Sequence, residues 1–243
     1  MKKTIFLVAL GVITVFCICY GTAKHMGGMK NIFHDGEFNL SFDDDDSDFE
    51  TKDGKNVINQ KLEKFSELDI DVRIMALTIQ EGTDFAIESS FNKSYLKPVL
   101  EVRGNTLKIS QQNYKSFGFN AGNQNCRVLL TIPSGTSLGS LNVSSNVGDV
   151  RLRDFNAEKI DLNLNVGEVT IRNVDFNDFI CSNNVGEISV DPVADINDYD
   201  MKLSTDVGEI YVDGHSYKRS YNTRGTAGKK IIVDTNVGEI NIK

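Results

Sequence analysis

The 243 residues contain no tryptophan, three prolines, three histidines and four cysteines. Without Trp, the usual residue of an aromatic sugar-binding platform is missing. His25, His34 and His215 lie far apart, so neither a metal cluster nor a Ser-His-Asp arrangement can be built from them. A net charge of −8 and a pI of about 5.0 leave no basic stripe to neutralise phosphates, which excludes nucleic acid as a partner. Beyond the first two dozen residues no segment has a helical period. Of the cysteines, Cys17 and Cys19 fall in an apolar run, while Cys126 and Cys181 share the parity of neighbouring apolar residues. The latter two are expected to be buried, inert thiols. A disulfide between them is the alternative in an exported domain, provided their Cα atoms lie within about 7 Å.

What is present is one phrase written five times: Asn146-Val147-Gly148-Asp149-Val150, Asn165-Val166-Gly167-Glu168-Val169, Asn184-Val185-Gly186-Glu187-Ile188, Asp206-Val207-Gly208-Glu209-Ile210 and Asn236-Val237-Gly238-Glu239-Ile240. A period near 20 is a solenoid signature. Apolar residues alternate on both sides, as in Ile160/Leu162 before Gly167 and Val169/Ile171 after it, which means strands. Each repeat is therefore expected to be strand, tight corner, strand and polar return. The glycine permits positive φ at the corner, and the Asn or Asp before it tolerates a left-handed conformation. Stacking like positions would bury a continuous core and align the Asn/Asp residues in an amide ladder. The carboxylates of Asp149, Glu168, Glu187, Glu209 and Glu239 would form a second ladder facing solvent.

The chain divides into three parts. Residues 1–23 hold Lys2, Lys3 and an unbroken apolar run from Ile5 to Tyr20. Extended through Ala23, this run would make a helix about 28 Å long, close to the ~30 Å hydrocarbon core. It is expected to be an uncleaved transmembrane helix, with a signal peptide cleaved before Lys24 as the alternative. Either way the two lysines keep the N-terminus inside and the remainder is exported. Residues 24–65, centred on Asp43-Asp44-Asp45-Asp46-Ser47-Asp48, are too acidic and apolar-poor to fold and form a tether. Residues 66–243 form the β domain. Within it, Leu68 to Ile79 is a degenerate first coil with Met75 in the glycine's place. Leu100 to Ile109 is two short strands about a Gly-Asn turn, and Cys126 to Ile132 is one more strand. Residues 213–228 are a polar insertion, expected as a surface loop.

The carboxylates and nearby Arg151, Arg153 and Arg172 are the one constellation that could carry chemistry, since some β-helix enzymes cleave acidic polysaccharides with clustered acids. These positions obey the repeat, whereas an active site should break it locally, so they are expected to be solvated corner residues. No catalytic, cofactor-binding or metal residue is assigned.

The run Val128-Leu129-Leu130-Thr131-Ile132-Pro133, the following Leu141-Asn142-Val143 and the iterated Asn-Val-Gly-Glu-Val phrase resemble the bacterial "putative adhesin" domain of unknown function, also called the toastrack domain. The resemblance implies an all-β, single-stranded, right-handed β-solenoid on the outer side of a bacterial membrane. It also implies company with envelope-stress or membrane-regulatory components, and it brings no catalytic motif. The expected protein is a single-pass membrane protein whose exported β-solenoid is a non-enzymatic binding or scaffold module. It would hold an envelope protein or a cell-surface polymer. A role in envelope-stress sensing through a membrane partner is the alternative, and a polysaccharide-active enzyme the remoter one. The residues expected to shape the domain are the repeat corners Asn146, Gly148, Asn165, Gly167, Asn184, Gly186, Asp206, Gly208, Asn236 and Gly238.

Overall fold

A computed structural model of the chain describes residues 33–34, 37–38, 56–111 and 124–243. A small unit contains β1 (Phe33–His34) paired antiparallel with β2 (Glu37–Phe38), and a second, much larger unit contains every other strand. The expected membrane helix lies outside the described residues. Among those described, no helix is long and apolar enough to cross a membrane.

In the large unit the first strands are β3 (Asn56–Lys61), β4 (Glu67–Ile74), β5 (Ala76–Gly82) and β6 (Ala86–Phe91). The hairpin β7 (Pro98–Arg103) and β8 (Thr106–Gln111) and the strand β9 (Cys126–Pro133) follow. The regular repeats then give β10 (Ser137–Val147), β11 (Val150–Arg153), β12 (Asn156–Val166), the 17-residue β13 (Val169–Val185) and β14 (Ile188–Pro192). Last come β15 (Tyr199–Val207), β16 (Ile210–Val212), β17 (His215–Tyr217), β18 (Ser220–Thr223), β19 (Lys229–Val237) and β20 (Ile240–Ile242).

These strands make two faces that meet at the glycine corners. One face runs in the order β7, β8, β4, β10, β12, β13, β19, β15, β18. The other runs β3, β6, β9, β5, β11, β13, β14, β20, β16, β17. The two-residue alternation puts one row of side chains between the faces, because successive strand residues point to opposite sides. In register, Leu68, Leu141, Ile160, Phe179, Ile231 and Met201 form one such buried row. Leu77, Val150, Val169, Ile188, Ile240 and Ile210 form its counterpart on the other face. Each fully buried aliphatic side chain contributes about 1.5–3 kcal/mol, so the rows dominate the stability of the stack.

The stack departs from a solenoid in which every coil rests on the one before it. The coil β19–β20 is last in sequence, yet it lies between β13–β14 and β15–β16. At the other end β4–β5 lies between β8–β9 and β10–β11. At each end, then, one coil is set in the outermost place and a neighbouring place is filled by a different part of the chain. The outer coils are in turn covered by antiparallel strands: β7 on β8 and β6 on β9 at one end, β18 on β15 and β17 on β16 at the other. An open parallel end would expose a row of unpaired backbone groups, and these short antiparallel strands cover it.

Two boundaries differ from the sequence reading. The tether expected to reach Phe65 is already folded at Asn56, where β3 pairs with β6, and Phe65 is buried against Phe85 with ring centroids 4.8 Å apart. The insertion at 213–228, expected as a loop, contains β17 and β18, which pair with the outermost coil.

Candidate binding surface

The corners are built by glycine for two reasons that act together. Gly148, Gly167, Gly186, Gly208 and Gly238 have φ between 142° and 158°. A Cβ on any of them would also run into the backbone carbonyl of the next coil's corner: Met75 for Gly148, Gly148 for Gly167, Gly167 for Gly186, Gly186 for Gly238 and Gly238 for Gly208. The hydrogen-bond ladder runs through the turn, with the Gly167 N–H donating to the Val185 carbonyl at 3.0 Å and the Gly186 N–H to that of Val237 at 3.0 Å. Met75 ends this line. Beside it the Gln111 amide takes the place of a further coil, accepting from the Arg73 N–H at 2.9 Å and donating to the Ile74 carbonyl at 2.8 Å.

The asparagines of the phrase do not have the left-handed conformation expected of them. That conformation occurs at the next corner along, at Asp154, Asn173 and Asp213. The phrase's asparagines hydrogen-bond from coil to coil instead: Asn165 donates to Asn146 at 2.9 Å, Asn184 to Asn165 at 2.8 Å and Asn236 to Asn184 at 2.9 Å. Asp206 occupies the end of this ladder, where a carboxylate has no N–H to pass on. The intervening valines stack in register on the outside, and Val166, Val185 and Val207 are 39%, 38% and 49% exposed.

A second polar row lies inside the corner. Ser145, Asn183, Thr205 and Thr235 are buried at inward-facing positions. Asn183 donates to the Gly167 carbonyl at 2.8 Å and Thr205 to the Gly238 carbonyl at 3.1 Å. The sequence signal for this row was a polar residue at an inward position three before each glycine, with Leu164 as the exception.

The carboxylates do not form one uniform ladder. Glu168, Glu187 and Glu209 are exposed, but Asp149 is buried and accepts the Glu168 N–H at 3.1 Å. Burial raises its pKa above the ordinary aspartate value, opposed by that hydrogen bond and by Arg151, whose guanidinium is 3.7 Å away. Asp149 thus differs from the expected solvated residue: it is buried in the corner and held there by the Glu168 N–H. Among the described residues no group of three or more His, Cys, Asp or Glu side chains could hold a metal. Cys126 and Cys181 are both free and buried, and burial pushes the Cys126 thiol up to about 12 and Cys181 higher still.

The C-terminal cap has a cavity of about 520 Å³. Its walls include Asp195 and Asn197 from a short 3-10 turn, Asp213 at the β16–β17 turn, and Tyr217 and Tyr221 from the two capping strands. The tyrosine rings are 4.5 Å apart between centroids and tilted by 54°. Asp195 accepts from both the backbone N–H and the side-chain amide of Asn197, at 2.9 and 2.8 Å, which holds that amide in one orientation. His215, the one histidine whose side chain is described, also lines the cavity, with Nδ1 2.9 Å from the Asp213 carbonyl. A shallower groove of about 800 Å³ at the left-handed corner is lined by Glu81, Thr83, Ser134, Asp154 and Asn173.

These features define an all-β wall of stacked two-strand coils, with polar and glycine ladders at its corners and antiparallel caps at its ends. The chain belongs to the Toastrack (DUF4097) family, whose model matches residues 65–216. Its structure is similar to that of a putative cell adhesion protein from Clostridium sporogenes, with 19% identity and a TM-score of 0.63 over 78% of this chain and 99% of that one. A putative adhesin from Bacteroides fragilis is 14% identical over 79% of this chain and 98% of its own, with a TM-score of 0.34. The first of these likenesses establishes a shared fold. No curated protein matches the chain.

Proposed function

We propose that the chain is a non-enzymatic binding or scaffold module of the adhesin type on the outer side of a bacterial membrane, anchored through residues 5–23. The observation that carries this reading is the division of labour within the large unit. The corners of the wall are filled by stacked glycines and self-satisfied amide ladders, which suits a rigid support. The C-terminal cap adds a polar, open-mouthed cavity to that support, outside the repeat. The likeness to the putative cell adhesion protein from Clostridium sporogenes supports the same reading. Asp149, the acid with the most unusual environment, is engaged by a backbone N–H and Arg151, as a structural residue would be.

The test uses the full chain in intact cells. It is expected to stay with membranes after carbonate extraction, to be digested by protease added outside, and to retain isolated cell-surface polymer when immobilised. Recovery in the soluble fraction, or protection from external protease, would contradict the proposal.

A further inference from the structure

We propose that the C-terminal cap cavity binds an uncharged sugar ring of a surface polymer, an inference that rests on the adhesin reading above and names its ligand class. Four observations lead to it. The cavity, at about 520 Å³, lies within the range of roughly 300–1,000 Å³ typical of small-molecule sites. Such sites are mostly apolar, whereas here polar and aromatic side chains outnumber the three aliphatic ones, Ala194, Ile196 and Val212, so its complement is a mainly polar ligand.

Sugar hydroxyls both donate and accept, and the wall offers both kinds of partner. Asp195 and Asp213 accept, Lys243 donates, and the Asn197 amide, oriented by Asp195, can do either. Two tyrosine rings supply the remaining requirement, an apolar surface for the C–H face of a pyranose with a polar rim beside it. Tyr221 is held by the fold, since its strand pairs Tyr221 with Leu203 and its ring packs on the hydrophobic core. Tyr217 stands outside it and is 36% exposed. Among the described residues neither tyrosine hydroxyl has a hydrogen-bond partner.

Charge selects within the class. Two carboxylates face a single lysine, so a uronic acid or a phosphorylated sugar would meet net repulsion in a chain already at −8. The absence of Trp, which argued against a sugar platform from sequence, is met here by a pair of tyrosines from strands that the sequence showed only as a polar insertion.

The experiment uses the full chain in a detergent without sugar headgroups, because a glycoside detergent would compete. It is titrated with neutral trimers of glucose, galactose, mannose and N-acetylglucosamine, and with the matching glucuronate and galacturonate trimers, following tyrosine fluorescence. At least one neutral trimer is expected to bind and the uronates are not. Tyr217→Ala and Asp213→Asn, the latter keeping a residue that tolerates positive φ, should each weaken binding about tenfold or more with unchanged circular dichroism. Val166→Ser, on the corner, should leave binding unchanged. The inference is overturned if no neutral trimer binds, if the uronates bind better, or if Tyr217→Ala binds as the parent does. Retention of isolated surface polymer by parent and Tyr217→Ala alike would remove this cavity from the account and leave the adhesin reading in place. Failure of the parent itself to retain polymer would count against the adhesin reading.

Discussion

In the middle of the stack, from β10 to β14, every strand is parallel to its neighbours and like residues recur at intervals of 19. At the C-terminal end β17 and β18 run antiparallel, the spacing breaks down, and the capping strands are mostly exposed. The same residue types serve both regions under different constraints. Gly167 is caught between coils and has no space for a methyl group, while Gly214 turns the β16–β17 hairpin at φ 72° with nothing within 4 Å of its would-be Cβ. The lesson is that repetition fixes the middle through contacts between coils, and leaves the ends free to carry irregular chemistry.

The largest effect should come from Gly167→Val. It adds backbone strain on the order of 1–3 kcal/mol and also forces two coils apart, so the variant is expected not to fold. Gly214→Ala, at the cap, should cost only about 1–2 kcal/mol for its left-handed conformation in a urea melt. Equal losses at the two sites would erase the distinction between middle and end.

Between these falls Asn183→Ala. It leaves the Gly167 carbonyl without its side-chain donor, at a cost of about 1–3 kcal/mol. The check is a urea midpoint alongside Asn184→Ala, on the exposed ladder one residue away, which should lose less. A greater loss at Asn184 would make the outer ladder, not the inner row, the support of the corners.

The smallest effect is a matter of pH. Burial raises the Asp149 pKa in the folded state, so the native protein holds that proton more tightly than the unfolded chain does. Its contribution is therefore most favourable in acid and is lost as pH rises through the folded-state value. Asp149→Asn should consequently be as stable as the parent or more so at pH 7, with the difference shrinking at about pH 3.5. Glu168→Gln, exposed beside it, should change stability by less than about 0.5 kcal/mol at either pH. A large loss on Asp149→Asn at pH 7 would show the charge itself to be required.

Much of this fold could be read from the residues, for physical reasons. Apolar alternation at Ile160/Leu162 and Val169/Ile171 has only one structural period that satisfies it, and the repetition of the phrase forces like positions together. The order of stacking could not be read, because the phrases at 206–210 and 236–240 differ in a single residue and either could rest on 184–188. That one difference does not decide the order: Asn236 donates to Asn184, and Asp206, with no N–H to donate, costs the ladder one link whether it stands inside or at the end. The cavity was illegible for another reason. Tyr217, Tyr221 and Asp195 come from strands and a turn whose pairing follows from where the outermost coil sits, which no local pattern encodes.

The stacking order can be tested directly with paired cysteines. Parallel neighbours lie about 4.8 Å apart and second neighbours roughly twice that, and a disulfide needs Cα atoms within about 7 Å. Asn184→Cys with Asn236→Cys should therefore oxidise readily to an intramolecular bond in the folded chain, while Asn184→Cys with Asp206→Cys should stay reduced. The reverse result, a bond between positions 184 and 206 and none between 184 and 236, would mean that the coils stack in sequence order and that the C-terminal cap described here does not exist.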